Sequence, residues 1–113
     1  LPAELNGWPG PEHGLELAEP LRLSAQQRRD TEALRAAHHR EATRLGEEII
    51  SAERELDRAF RDRSITPARL EEITQRIGRL QAALRAEHLA THIRQTALLS
   101  PEQVARYDVL RGY

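Results

Sequence analysis

Apolar residues recur at every third or fourth position along two long stretches of this chain, and this spacing predicts two long amphipathic helices. In the first stretch, Ser24 and Gln27 have the spacing of a capping box, so a helix is expected from about Ala25 to about Arg63. His38 lies at the start of its apolar stripe, which continues at 3.6-residue steps. The stripe comprises Ala42, Leu45, Ile49, Ala52, Leu56 and Phe60.

The second long helix is predicted to begin after a tight connection, because Thr66 can cap its first turn and Pro67 suits the first helical position. Five helical turns separate Leu70 from His88, so His88 continues the apolar stripe of this helix. The stripe comprises Leu70, Ile73, Ile77, Leu80 or Gln81, Leu84, His88, and Thr91 or His92. The histidines are therefore expected on the packing seam and not on the solvent side.

Short helices are predicted on both sides of these two. A proline in the first turn favours a helix over 11–19, and Pro20 would end it. Ser100 followed by a proline predicts a last helix over 101–110. Residues 1–10 contain a proline and glycine cluster and are expected to form a flexible arm, whose Trp8 is expected to enter a groove between helices. The predicted fold class is all-α: a four-helix hooked antiparallel hairpin.

The composition narrows the classes of function. A chain of 113 residues with 39% hydrophobic content is one domain with a thin core, so a homodimer is the economical way to bury more surface. Its 17 basic residues, all arginine, balance 18 acidic ones, so no nucleic-acid partner is expected. Cysteine and methionine are absent, which leaves imidazole and carboxylate as metal-binding groups. The chain has no glycine-rich loop, nucleophile motif or zinc-protease spacing, so it is not expected to be an enzyme.

The chain brings histidines together if the two long helices fold back on each other. His88 and His92 lie one helical turn apart and can reach a common point. Folding about the predicted connection pairs positions whose numbers sum to about 130, to within two or three residues. His38 would then face His92, and Glu41 or Ala42 would face His88.

The short first helix would return to the same end of the hairpin, and its His13 and Glu16 are neighbours on one face. Imidazole and carboxylate groups together favour nickel, cobalt, zinc or copper(II). The candidate metal ligands are His38, His88 and His92, with His13, Glu16 and Glu41 as additional or alternative ligands. His39 points about 100° away from His38 and is expected to face solvent. The alternative is that His38 and His92 are half-buried and hydrogen-bonded to each other or to glutamates.

Two segments share the pattern Leu-Ser-x-x-Gln, one over 23–27 and the other over 99–103. They resemble the Leu-Thr-x-x-Gln motifs of the periplasmic CpxP, Spy and ZraP proteins, with Ser in place of Thr. The order of helices, together with His88 and His92 upstream of the second segment, is similar to the heavy-metal sensors of the CnrX and NccX type. The resemblance covers about residues 11–113.

This resemblance implies a dimeric periplasmic domain, often behind a membrane anchor, that binds nickel or cobalt. In those sensors the ligands are first-helix histidines, a glutamate of the first long helix, and a His followed four residues later by a Met. His88 and His92 match that last pair in spacing, with His for Met, so zinc and copper(II) are equally plausible. For the other ligands the resemblance points to His13, Glu16, Glu32 or Glu41, and His38 as a substitute.

Two functions are therefore expected as alternatives. The first is a periplasmic sensor of divalent transition metal ions that signals to a membrane-bound anti-sigma or resistance regulator. The second is a Spy-like or CpxP-like chaperone or envelope-stress adaptor that holds unfolded chains through arginine and apolar contacts. The arginines expected to matter for the second are Arg44, Arg54, Arg58 and Arg76.

Overall fold

The computed structural model describes residues 2–113, and this part of the chain contains helices and connections but no strand. The four α-helices are α1 (Pro11–Glu16), α2 (Ala25–Arg61), α3 (Pro67–Ala97) and α4 (Pro101–Arg111), preceded by a 3-10 turn at Glu4–Asn6. The predicted all-α fold, with two long helices and short flanking ones, is confirmed. None of the helices in the described part of the chain has the length and hydrophobicity to cross a membrane.

The helix starts follow the predicted caps. The Ser24 hydroxyl accepts a hydrogen bond from the Gln27 amide at 3.0 Å, and the Gln27 side chain accepts one from the Ser24 amide at 2.9 Å. The same capping box opens α4 at Ser100. At the start of α3, the Thr66 hydroxyl accepts from the Arg69 amide at 3.1 Å. Each cap satisfies backbone groups that a helix terminus leaves unpaired, which sets where these helices begin.

The chain divides into two compact units, which we call the turn unit (residues 40–87) and the terminal unit (residues 2–39 and 88–113). The core of the turn unit is apolar and consists of Ala52, Ile73 and Ile77, with Leu56 and Leu80 packed against it. On its surface, Glu55 accepts hydrogen bonds from Arg69, at 2.5 Å, and from Arg76. The bond from Arg76, and the positive charge of both guanidinium groups, lower the pKa of Glu55.

The predicted stripe of α2 is wrong at its end. Phe60 is 54% exposed, whereas Ala59 is buried. Steps of 3.6 residues from the buried Ala52 reach position 59 before 60, so the smaller side chain takes the inner place. The helix ends at Arg61, and Arg63 in the connection after it is left-handed, with φ of 57°.

The terminal unit has a different core, formed by Ala18, Leu21, Leu23 and Tyr107, with Leu17 and Leu99 packed against it. Leu23 and Leu99 are the first residues of the two Leu-Ser-x-x-Gln segments. The repeated leucine therefore places both segments side by side in the terminal unit.

The two glutamines of these segments form a reciprocal pair of amides. Gln27 Nε2 donates to Gln103 Oε1 at 2.8 Å, and Gln103 Nε2 donates to Gln27 Oε1 at 3.0 Å. Each amide group also donates to a backbone carbonyl close to the other segment. Gln27 Nε2 donates to the Leu98 carbonyl, and Gln103 Nε2 donates to the Leu21 carbonyl. Because each oxygen also accepts from its own capping serine, both side chains use their full hydrogen-bonding capacity.

The predicted arm packs against the rest of the terminal unit. Glu4 is only 8% exposed and accepts a hydrogen bond from the buried hydroxyl of Tyr107. Burial, followed by this bond, raises the pKa of Tyr107, so its hydroxyl remains a donor. Pro9 is fully buried, whereas Trp8 is 43% exposed and does not enter a groove as predicted, because its proline neighbour takes the inner position.

Candidate metal-binding site

The seam between α2 and α3 in the terminal unit is polar. Thr31, Thr91 and Gln95 are buried there, with exposures of 0%, 2% and 0%. Gln95 Nε2 donates to Thr31 Oγ1 at 3.1 Å, and Thr91 Oγ1 lies 3.1 Å from His38 Nδ1. These pairs provide part of the hydrogen bonds that buried polar groups require and favour one alignment of the two helices over others, while Gln95 Oε1 is buried without a partner among the described residues.

His38 and His88 form a ring contact, in which His38 is half-buried but His88 is exposed and not on the packing seam as predicted. Their ring centres are 4.6 Å apart, and the rings meet edge to face at an angle of 67°. Imidazole nitrogens are donors that divalent transition metal ions accept, so the chemistry of this pair suits such an ion.

The residues opposite His38 differ from the prediction. His88 and Thr91 contact it, not His92. The position numbers of these two contacts sum to 129 for Thr91, which agrees with the predicted value of about 130 to within two or three, and to 126 for His88, which lies just outside that range.

His92 instead contacts the N-terminal segment. Its Nδ1 lies 2.9 Å from the carbonyl oxygen of Trp8. Because a carbonyl oxygen can only accept, Nδ1 carries the proton and Nε2 holds the lone pair in the neutral ring. The backbone of Gly10 lies against the same ring, and a Cβ atom at that position would come within 2.7 Å of His92 Cε1.

The remaining candidate residues are distributed as follows. His13 Nδ1 lies 3.1 Å from Glu16 Oε2, so the predicted pairing on α1 is confirmed. Glu32 is exposed, and His39 is exposed as predicted. In the turn unit, Glu41 accepts a hydrogen bond from Arg44 at 2.5 Å, and this bond lowers its pKa.

Within residues 2–113, no group of three or more histidine, aspartate or glutamate side chains is arranged to hold a metal ion. The structure brings His38 and His88 together, and it places His92 on the N-terminal segment. The predicted ligand set as a whole remains a prediction. Two groups were not predicted from the sequence. Gln95 lies one turn beyond the predicted stripe, and the Trp8 carbonyl is a backbone group that no side-chain pattern indicates.

One protein family has a model that matches this chain. The model of a heavy-metal resistance family matches residues 3–106 of the chain. The chain belongs to the heavy-metal resistance family. This confirms the resemblance to sensors of the CnrX and NccX type and indicates a function related to heavy-metal resistance. No curated protein and no solved structure matches the chain.

Proposed function

We propose that this heavy-metal resistance protein is a periplasmic sensor domain that binds a divalent transition metal ion and signals to a membrane-bound resistance regulator. The observation that carries the proposal is the pair of His38 and His88, one from each long helix, with ring centres 4.6 Å apart. His92, one turn along α3 from His88, is the next candidate ligand. His13 and Glu16 are candidates to complete the site.

The donor set supports nickel, cobalt, zinc or copper(II). With no cysteine or methionine in the chain, the ligands are imidazole nitrogens and carboxylate oxygens, which these ions accept. An ion bound by His38 and His88 joins α2 to α3 inside the terminal unit. Binding would thus change the relative stability of helix arrangements there, which is the physical requirement for a sensor.

Calorimetric titration with each of the four ions tests metal binding. We expect wild type to bind at least one of them at micromolar concentration, and the His38→Ala/His88→Ala variant to lose at least tenfold in affinity. His39→Ala is the matched control, because His39 neighbours His38 in sequence but is exposed. Equal binding by wild type and the double variant, or no binding by wild type, would refute the proposal.

A chaperone is the second candidate function, and a groove in the turn unit favours it. The groove has a volume of about 690 Å³ and is lined by Arg54, Arg58 and the half-exposed Ile50. Arginines beside an apolar side chain can hold an unfolded chain without metal. Arg44 and Arg76, also predicted for this role, form ion pairs with glutamates.

An aggregation-suppression assay separates the two functions. Protection that survives a chelator and the His38→Ala/His88→Ala change, but is lost in Arg54→Ala/Arg58→Ala, would support the chaperone. Protection by neither wild type nor variant leaves the sensor as the sole candidate of the two.

A further inference from the structure

We propose that Trp8, Pro9 and Gly10, which we call the strap, position His92 for metal binding through its Nε2 atom. The inference rests on the proposed function, since it assigns a supporting role at the same metal site. It also predicts that strap docking and metal binding strengthen each other. No side chain of the strap is a ligand in this scheme, and the positioning group is the backbone carbonyl of Trp8.

The hydrogen bond defines which nitrogen is available. His92 Nδ1 donates to the Trp8 carbonyl at 2.9 Å, so the lone pair of the neutral ring lies on Nε2. Histidines that bind metal ions usually donate their other ring N–H to a carbonyl or carboxylate, which fixes the orientation of the ring. The Trp8 carbonyl occupies this supporting position on His92 Nδ1.

Gly10 permits the close approach of strap and ring. A Cβ atom at position 10 would lie 2.7 Å from Cε1, 3.1 Å from Nδ1 and 3.5 Å from Nε2 of His92. The backbone of Gly10, with φ of −104° and ψ of 163°, is extended and open to any residue. The need for glycine therefore comes from the imidazole ring and not from the backbone conformation.

The strap is held on both sides, so it can act as a fixed support. On one side the Trp8 amide donates to the Ala3 carbonyl at 3.0 Å, and Pro9 is fully buried. On the other side the Gly10 carbonyl accepts from the Gly14 amide at 3.2 Å in the first turn of α1. A carbonyl held in this way restricts His92 more strongly than a mobile segment would.

Metal binding and strap docking are coupled through the ring. A cation on Nε2 makes the Nδ1–H a stronger donor, which strengthens its bond to the Trp8 carbonyl. By thermodynamic reciprocity, a strap that is docked raises the affinity for the ion by the same factor. Loss of such a supporting group typically costs about 10–100-fold in metal affinity.

Gly10→Ala tests the strap directly. We expect the added methyl group to displace the strap from His92 and to lower zinc affinity about tenfold in calorimetry. Gly46→Ala is the matched control, because a Cβ atom at position 46 meets nothing within 4 Å. If wild type binds zinc and the two alanine variants bind it equally, the inference is overturned while the proposed function stands.

Trp8 is the only tryptophan of the chain, so its fluorescence reports the strap without a label. We expect zinc, which does not quench tryptophan, to reduce acrylamide quenching in wild type. Without metal, His92→Ala should increase quenching, and Gly10→Ala should add nothing in that background because the clash is gone. A further increase in the double variant would overturn the inference.

The two measurements distinguish the possible failures. Absence of zinc, nickel, cobalt and copper(II) binding by wild type would overturn the proposed function and the coupling to metal. Quenching that is the same in wild type and His92→Ala without metal would overturn the positioning role alone.

Discussion

Substitution of Gln103 by alanine should destabilise the protein far more than its partly exposed position suggests. The side chain takes part in four hydrogen bonds of 2.8–3.2 Å. Two of them join it to Gln27, one completes the capping box of Ser100, and one reaches the Leu21 carbonyl. Alanine would remove all four and leave Gln27 with half of its partners.

The expected magnitude follows from these bonds. Loss of a helix cap costs about 1 kcal/mol, and each net hydrogen bond contributes about 0.5–1.5 kcal/mol. Because water can replace part of them at a half-buried site, we expect a loss of about 2–4 kcal/mol in the free energy of unfolding. This is a large share of the roughly 5–15 kcal/mol typical of a domain.

Urea unfolding followed by circular dichroism measures this loss. Gln26→Ala is the control, because Gln26 lies next to Gln27 on α2 but is exposed, and its side chain bonds to Asp30 and Arg29 of the same helix. We expect that control to remain within about 0.5 kcal/mol of wild type.

A double-mutant cycle isolates the amide pair. Gln27→Ala and Gln103→Ala should be less than additive, with a coupling energy of about 1–2 kcal/mol. Strict additivity, or a Gln103→Ala variant as stable as Gln26→Ala, would refute the role assigned to the pair.

Two further predictions concern the charged groups of each unit. Because Arg76 lowers the folded-state pKa of Glu55, its carboxylate stabilises the fold above its unfolded pKa and loses this effect as pH falls through the folded value. Glu55→Gln should therefore be less stable than wild type at neutral pH and equal to it in acid, and a constant difference in urea unfolding would contradict this. Tyr107→Phe should lower the free energy of unfolding by about 1.5–3 kcal/mol, because it removes the donor to the buried Glu4 carboxylate. If the variant is as stable as wild type in urea unfolding, water or Arg111 replaces that donor.

Local signals in the sequence predicted much of the fold. The caps at Ser24, Thr66 and Ser100 are side-chain patterns that act within one helical turn, so they could be found without knowing the tertiary structure. The contacts of the histidines depend instead on the register of α2 against α3 in the terminal unit, which patterns within one helical turn do not define. The prediction placed His92 opposite His38, whereas His38 contacts His88 and Thr91.

The partner of His92 could not be predicted for another reason. The Trp8 carbonyl is a backbone group, and every residue has one. A cluster of proline and glycine indicated an arm, but the same residues pack well where a ring must approach the backbone closely. Gly10 serves this purpose, and sequence alone does not separate that use from a turn.

The amide pair and the polar seam have a common physical explanation. A hydrogen-bonded pair such as Thr31 and Gln95 contributes about 1 kcal/mol, whereas a buried leucine contributes about 1.5–3 kcal/mol. An apolar seam would thus hold α2 and α3 together more tightly, but it would offer no partner to a half-buried imidazole such as His38. Thr91 supplies that partner. Near the end of the same seam, the repeated Leu-Ser-x-x-Gln segments cap two helices and join them through fully bonded amides, which compensates for the weaker contacts around the histidines.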